Sequence, residues 1–317
     1  MTKKKKSSFK KYILGTLVIL LCLVLGTGYY VYNLLNQVAT GPIIDSNEEL
    51  GIKEDNKTPK VTNIALFGLD RRNPNENSRS DSIMIATLDL NTKKIKLTSI
   101  MRDTYVNIPG RGMDKINHAY AFGGPQLALK TINENFDMNI RDYVMVDFFG
   151  LMDIVDDLGG IEIDIKDYEV SRAKVSGTGV QTLNGEQALA YSRIRYAGNG
   201  DYERTERQRV VLEQIMNKIM GAGAMQYPKM ISKLLPHVET SLTKPEMLKL
   251  GTSAFTHGVR TIDQYRIPVD GYAKGQKMNG VYYLVPQDLS SNVKLLHEYI
   301  YGVQENTAES NSENGRS

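Results

Sequence analysis

Five charged residues stand at the ends of three consecutive apolar runs. Val61–Leu69 is almost continuously apolar and reads as a buried strand that stops at Asp70. Arg79 and Asp81 introduce a second strand, Ser82–Leu90, and the turn Asn91-Thr92 leads into a third, Lys94–Met101, which ends at Arg102-Asp103. If the first two strands pair antiparallel, one end of the sheet collects Asp70, Arg79, Asp81, Arg102 and Asp103. Neighbouring carboxylates repel one another unless a cation joins them. A hard cation such as Mg²⁺, with Mn²⁺ as an alternative, takes oxygen ligands and would resolve the repulsion. Arginines interleaved with the acids suit a ligand carrying several negative charges, such as a diphosphate, because guanidinium grips phosphate oxygens bidentately and stays charged. The competing reading is a set of local Arg–Asp pairs at a sheet edge.

A second cationic set lies further along. In Tyr191-Ser192-Arg193-Ile194-Arg195 the two arginines are two apart, so an extended segment would turn both to one face. Arg204, Arg207 and Gln208 follow at helical spacing. With a helix beginning at Arg204 they occupy its first turn, where the dipole favours an anion. Pairing of these arginines with Glu203 and Glu206 is the plainer alternative, and it leaves Arg193 and Arg195 unexplained.

The elements that must position these residues are legible in outline. Helices are expected over Asn117–Phe136, Gly150–Leu158, from Asn184, over Arg204–Met220, Pro245–Phe255 and Pro286–Tyr301. Further strands are expected at Asp142–Phe149, Ile161–Ile165 and Gln264–Val269. Asn184 followed by Gln187 has capping-box spacing. Strands alternating with helices indicate an α/β sandwich. Gly123-Gly124-Pro125 reads as a turn rather than a nucleotide-binding loop.

The 317 residues suffice for one sizeable core. Six of the 39 basic residues are lysines within residues 1–11, a stretch with no acid; the remaining 33 face 36 acids, a formal −3. The polycation is therefore confined to one end. Residues 12–32 carry no charge and reach the length of a bilayer-crossing helix. Lysines precede this segment, and none follows until Lys53, so the N-terminus is expected in the cytoplasm and the main domain outside. A cleaved signal peptide is the other reading, but no small-x-small site follows the apolar run. Cys22, the single cysteine, lies inside the span, so the outer domain must fold without disulfides. The expected organisation is a basic segment 1–11, a transmembrane helix 12–32, a stalk 33–60, a catalytic domain 61–302 and a polar, disordered tail 303–317.

Four motifs give these residues a family likeness. Phe67-Gly68-Leu69-Asp70 with Arg79-Ser80-Asp81-Ser82 resembles the opening motif of the LytR-CpsA-Psr family. Ser99-Ile100-Met101-Arg102-Asp103-Thr104 resembles its second, with Met101 where Pro is common, and Lys115-Ile116-Asn117-His118-Ala119-Tyr120 its third. Leu183–Leu189, Tyr191–Arg195 and Asp201–Gln208 together resemble the fourth. The resemblance implies an α-β-α sandwich with a central mixed sheet. It also implies a membrane-anchored phosphotransferase outside the cell. Such an enzyme moves a glycopolymer of the teichoic acid or capsular type from a polyprenyl-pyrophosphate carrier to peptidoglycan, forming a phosphodiester. By position, Asp70 and Asp81 would hold Mg²⁺. Arg79, Arg102, Arg193, Arg195, Arg204 and Gln208 would hold the pyrophosphate, with Arg207 grouped among them and Lys115 nearby. Asp81, Arg102 and Asp103 form the expected catalytic set, with Asp103 a candidate proton acceptor.

The carrier's lipid tail requires an apolar groove, to which Val144, Val146, Phe148, Phe149, Leu151 and Ile154 are candidates, though each also suits an ordinary core. A pyrophosphate hydrolase or a non-catalytic lipid-phosphate binder would use the same charged residues. Direct nucleic-acid binding is not expected: the lysine run abuts the apolar span, and no DNA-reading motif is present. The four histidines form no metal set, and no Ser-His-Asp arrangement can be placed.

Overall fold

The computed structural model describes residues 29–302, apart from 31, 45, 54–59, 72–77, 196–199 and 223–225. The basic segment 1–11, most of the expected span 12–32 and the tail 303–317 lie outside the described residues. Among the described residues no helix is long and apolar enough to cross a membrane.

A seven-stranded mixed sheet forms the centre. Its strands in chain order are β1 (Ala39–Thr40), β2 (Val61–Leu69), β3 (Ser80–Asp89), β4 (Lys94–Ile100), β7 (Asp142–Asp147), β10 (Glu239–Thr240) and β11 (Thr261–Ile267). In space they run β1-β10-β7-β2-β3-β4-β11. Three hairpins lie outside the sheet: β5 (Tyr105–Ile108) with β6 (Gly112–Lys115), β8 (Ile161–Ile165) with β9 (Gly179–Leu183), and β12 (Ala273–Met278) with β13 (Val281–Pro286). The main helices are α1 (His118–Phe136), α2 (Phe148–Asp157), α3 (Val170–Ala173), α4 (Gly185–Ser192), α5 (Asp201–Gly221), α6 (Tyr227–Leu234), α7 (Lys244–Thr256) and α8 (Leu289–Tyr301).

Strand periodicity divides the apolar residues between two layers. Ala65, Phe67 and Leu69 of β2 and Tyr143 and Met145 of β7 face one way, into a core closed by α1 and α8 through residues such as Leu129, Phe136, Leu296 and Ile300. Their neighbours Leu66, Val144 and Val146 face the other way and are only half-buried. A separate core joins α2, α4 and α5 to the β8–β9 hairpin around Val155, Ile163, Leu183 and Val211. Ile154 belongs to that core, and Val146 and Leu151 pack against it, while Phe149 is 54% exposed.

The expected spacer 33–60 is partly domain. Ala39 and Thr40 pair in parallel with Glu239 and Thr240. Ile44, Leu50 and Ile52 enter the first core. Three isolated apolar residues show no periodicity in sequence, yet they cap a core whose edge would otherwise face water.

Candidate active site

The registers bring the three motif-bearing strand ends to one edge. β2 and β3 are antiparallel with Gly68 opposite Ser82, and β3 and β4 are antiparallel with Met84 opposite Ser99. Asp70, Asp81 and Arg102 therefore emerge from adjacent strands in that order. Arg102 is the centre of the cluster. One terminal nitrogen donates to Asp81 Oδ1 at 2.5 Å, and Nε lies 3.7 Å from Asp103 and 3.9 Å from Asp201. Burial would depress its guanidinium, but Asp81, Asp201 and Asp103 outweigh burial and raise it. Lys115, at the end of β6, donates to Asp103 at 2.7 Å.

Arg193 and Arg195 reach the same edge. Arg193 lies 3.7 Å from Asp70, with its guanidinium 4.6 Å from the Phe148 ring centre, and Arg195 lies 3.6 Å from Asp81. The segment is not a strand: Arg193 caps the C-terminus of α4 in helical geometry. The two arginines share a face because Ile194 between them is buried in the second core, which leaves its flanking side chains to turn outward. Their placement depends on α4, whose N-terminus carries the expected capping box between Asn184 and Gln187. Gly185 sits there against α2: its N–H donates to Asp156 at 2.8 Å, and a Cβ on it would lie 2.3 Å from the Met152 carbonyl oxygen. Backbone cannot step aside as a side-chain tip can. Gly185→Ala is expected to cost about 1–3 kcal/mol through overpacking and to displace Arg193 and Arg195 with the helix. Thermal unfolding together with the donor KM would read both effects.

The α5 residues separate into two groups. The helix begins at Asp201, not at Arg204, so its first turn is acidic, with Asp201 and Glu203. Arg204 points to the cluster, donates to Asp201 at 2.9 Å and is only 1% exposed. Burial pushes its guanidinium down to about 10, with Asp201 opposing that shift and Arg102 and Arg195 adding to it. Arg207 does not join the cluster. Its Nε donates to the buried Glu169 at 2.6 Å and its Nη2 to the half-buried Glu203 at 2.6 Å, beside the second core. A three-residue step rotates a side chain by about 60° around the helix axis, and here that rotation separates two buried sites. Gln208 is half-buried and makes no side-chain hydrogen bond among the described residues, and Arg79 is exposed without an ion pair among them.

Two residues not singled out by their sequence context complete the region. Asp201 adds a fourth carboxylate. Arg209, 7% exposed, donates to Gln264 and to the Ser99 hydroxyl, both at 2.9 Å, fastening α5 to β11 and β4. Its nearness to Arg204 and Arg207 in a charged run hid that structural role.

The assembled cluster holds Arg102, Arg193, Arg195, Arg204 and Lys115 among Asp70, Asp81, Asp103 and Asp201. The Nε groups of Arg102 and Arg204 are buried and have no hydrogen-bond acceptor among the described residues. Buried donors without acceptors are costly, and here they belong to cations that converge on one place. Their chemistry fits an anionic ligand with many oxygens.

A sequence profile of the LytR_cpsA_psr family matches residues 31–296. The chain is 35% identical over 251 residues to the polyisoprenyl-teichoic acid–peptidoglycan teichoic acid transferase TagU of Enterococcus faecalis, covering 75% of this chain and 80% of that protein. It resembles the solved structure of TagT bound to LI-WTA at 28% identity, with a TM-score of 0.67 over 83% of this chain and 100% of the other. The LytR-CPS2A-psr family protein YwtF (TagT) with bound octaprenyl pyrophosphate lipid is 27% identical, with a TM-score of 0.64 over the same shares. With motif order, sheet topology and sequence profile in agreement, the chain belongs to the LytR-CpsA-Psr family.

Proposed function

We propose that this protein transfers a glycopolymer, of the teichoic acid or capsular type, from a polyprenyl-pyrophosphate carrier to a hydroxyl of peptidoglycan. The observation that carries the reading is the convergence of Arg102, Arg193, Arg195 and Arg204, two of them with buried N–H groups lacking acceptors among the described residues. Similarity to TagU and to TagT with octaprenyl pyrophosphate supplies the substrate class. The acceptor oxygen forms a bond to the sugar-linked phosphorus. The bond from that phosphorus to the bridging oxygen breaks, and polyprenyl phosphate leaves. The acceptor's proton passes to Asp103, whose carboxylate sits between Lys115 and Arg102. Phosphoryl transfer of this kind asks a protein for positioning and charge neutralisation more than for covalent chemistry. Arg102, Arg193, Arg195 and Arg204 provide both, with Arg79 at the exposed rim.

Asp70 and Asp81 offer hard oxygen donors from adjacent strands. Among the described residues no group of three or more His, Cys, Asp or Glu is placed to hold a metal unaided. A donor set this small suits Mg²⁺, which takes one or two carboxylates and completes its shell with phosphate and water. Mg²⁺ held there would neutralise charge on the pyrophosphate. The half-buried stripe of Leu66, Val144 and Val146, beside Phe148, supports a resting place for the lipid tail on that side of the sheet. The lysine-rich end and the uncharged segment 12–32 support a single-pass anchor with the N-terminus in the cytoplasm and the domain outside. Such a tether would raise the local concentration of a substrate dissolved in the same membrane.

Full-length protein would be supplied with a synthetic polyprenyl-pyrophosphate glycan, Mg²⁺ and peptidoglycan oligomers, and the products read by mass spectrometry. A phosphodiester conjugate is expected from wild type and not from Asp81→Ala or Arg195→Ala. EDTA should stop the reaction, with Mg²⁺ restoring it. Lipid phosphate released without conjugate would make the protein a hydrolase, and tight lipid binding without turnover would make it a carrier-lipid binder.

A further inference from the structure

Hairpin β12–β13 is attached to the candidate active site, and nothing in the donor's recognition accounts for it. The Leu284 N–H donates to the Asp103 carbonyl oxygen at 2.8 Å, and Thr104 bridges Leu284 in parallel. Tyr283 meets Tyr105 edge-on at 5.0 Å between ring centres, and Lys115, bonded to Asp103, lies 5.5 Å from the Tyr283 ring centre. The hairpin is thus locked to the loop that carries Arg102 and Asp103.

Tyr282 is the residue this arrangement presents. It is 42% exposed. Tyr282 lies two residues before Leu284 on β13, and so on the same face as the residue whose N–H meets the Asp103 carbonyl; partial burial raises its phenol, and Tyr202, Asp103 and Asp201 raise it further. The other strand of the hairpin backs the ring: a Cβ on Gly275 would lie 2.7 Å from the phenolic oxygen and 2.8 Å from Cε2. A side chain at position 275 would push the ring away. Tyr202 is steadied by the Arg266 guanidinium 4.3 Å from its ring centre. Two tyrosines are therefore held at the rim of the cluster, each apolar in body and polar at the tip.

The sheet order separates this rim from the half-buried apolar stripe. The stripe lies on β2 and β7, while the hairpin joins the end of β4, with β3 and Asp81 between them. An in-line displacement at phosphorus needs the attacking and leaving oxygens on opposite sides. If the leaving lipid phosphate lies toward β2 and β7, the attacking hydroxyl comes from the tyrosine side. We propose that Tyr282, backed by Gly275 and flanked by Tyr202, is the platform on which a sugar ring of the acceptor glycan strand stacks beside Asp103. This rests on the transfer reading above and adds the acceptor's site to it. A pyranose fits the chemistry, with its C–H face on the ring and its hydroxyls toward the phenols and the carboxylates.

The test uses full-length protein with peptide-free peptidoglycan glycan strands, measuring equilibrium binding of the strands and, separately, acceptor and donor KM in transfer. Tyr282→Ala is expected to weaken glycan binding and raise acceptor KM about tenfold, the scale of a lost aromatic contact, with the shift appearing in acceptor KM rather than donor KM. Tyr282→Phe should retain most of the binding, and Gly275→Ala should weaken it by displacing an intact ring. Glycan bound as tightly by Tyr282→Ala as by wild type would overturn the proposal. So would no glycan binding by wild type, or a loss confined to donor lipid. Wild type that binds glycan through Tyr282 yet transfers nothing would refute the transfer reading and leave the glycan site standing.

Discussion

Arg102→Ala is expected to lower the transfer rate by about 10²–10³-fold at saturating donor, the scale seen when one preorganised charge stabiliser is removed. Arg102 is the only residue of the cluster within 4 Å of three carboxylates, those of Asp81, Asp103 and Asp201. Its removal leaves them to repel each other and the incoming pyrophosphate. Arg102→Lys should recover little. An ammonium keeps the charge, but it is a compact point without the planar fork that now reaches three partners. The comparison is made on protein whose thermal midpoint has been checked, because a neighbouring buried cation, Arg204, depends on the same acids. A loss smaller than tenfold with an unchanged midpoint would show that Arg102 organises the strand end without serving transfer.

Arg207→Ala carries the largest expected effect on stability. Arg207 and Glu169 are 3% and 1% exposed, and they face each other at 2.6 Å. Removing one partner leaves a buried charge uncompensated, a loss of about 3–5 kcal/mol. The thermal midpoint should fall by about 6–20 °C for a domain of this size. Replacing both residues by methionine should lie closer to wild type than either single change, since neither fully buried charge is then left alone and Glu203, the other partner of Arg207, is partly exposed. In the cold, where the variant is folded, its donor KM should stay near the wild-type value. A raised donor KM with an undisturbed midpoint would return Arg207 to the pyrophosphate site.

Arg204 and Arg207 are neighbouring arginines that the sequence treats alike. Arg204, Arg207 and Gln208 have spacings that suggest a common face, and a helix drawn from Arg204 gives them a common first turn. The observed start at Asp201 moves them inward, and the acids of the first turn take up the dipole instead. Arg204 then faces Asp201 and Arg102, whereas Arg207 faces Glu169, contributed by a 3-10 turn between β8 and α3. Nothing in the local sequence announces that Glu169 is the partner. Hairpins β5–β6 and β12–β13 were equally hard to see. They are short and half exposed, and their alternation is interrupted by polar residues on both faces.

The outline is written in local sequence: three strands whose ends gather Asp70, Asp81 and Arg102, the capped helix before Arg193 and Arg195, and the motif order that marks the family. These are local or pairwise matters of apolar runs, tight turns and capping spacing, and the chain encodes them within a few residues. The folded arrangement selects which charges share a site. It places Arg207 beside the second core, brings in Asp201, folds part of 33–60 onto the domain and joins the hairpin that carries Tyr282 to the backbone of Asp103. Each of those outcomes depends on contacts between segments far apart in the chain, where packing and the pairing of buried charges, rather than local spacing, select the partner.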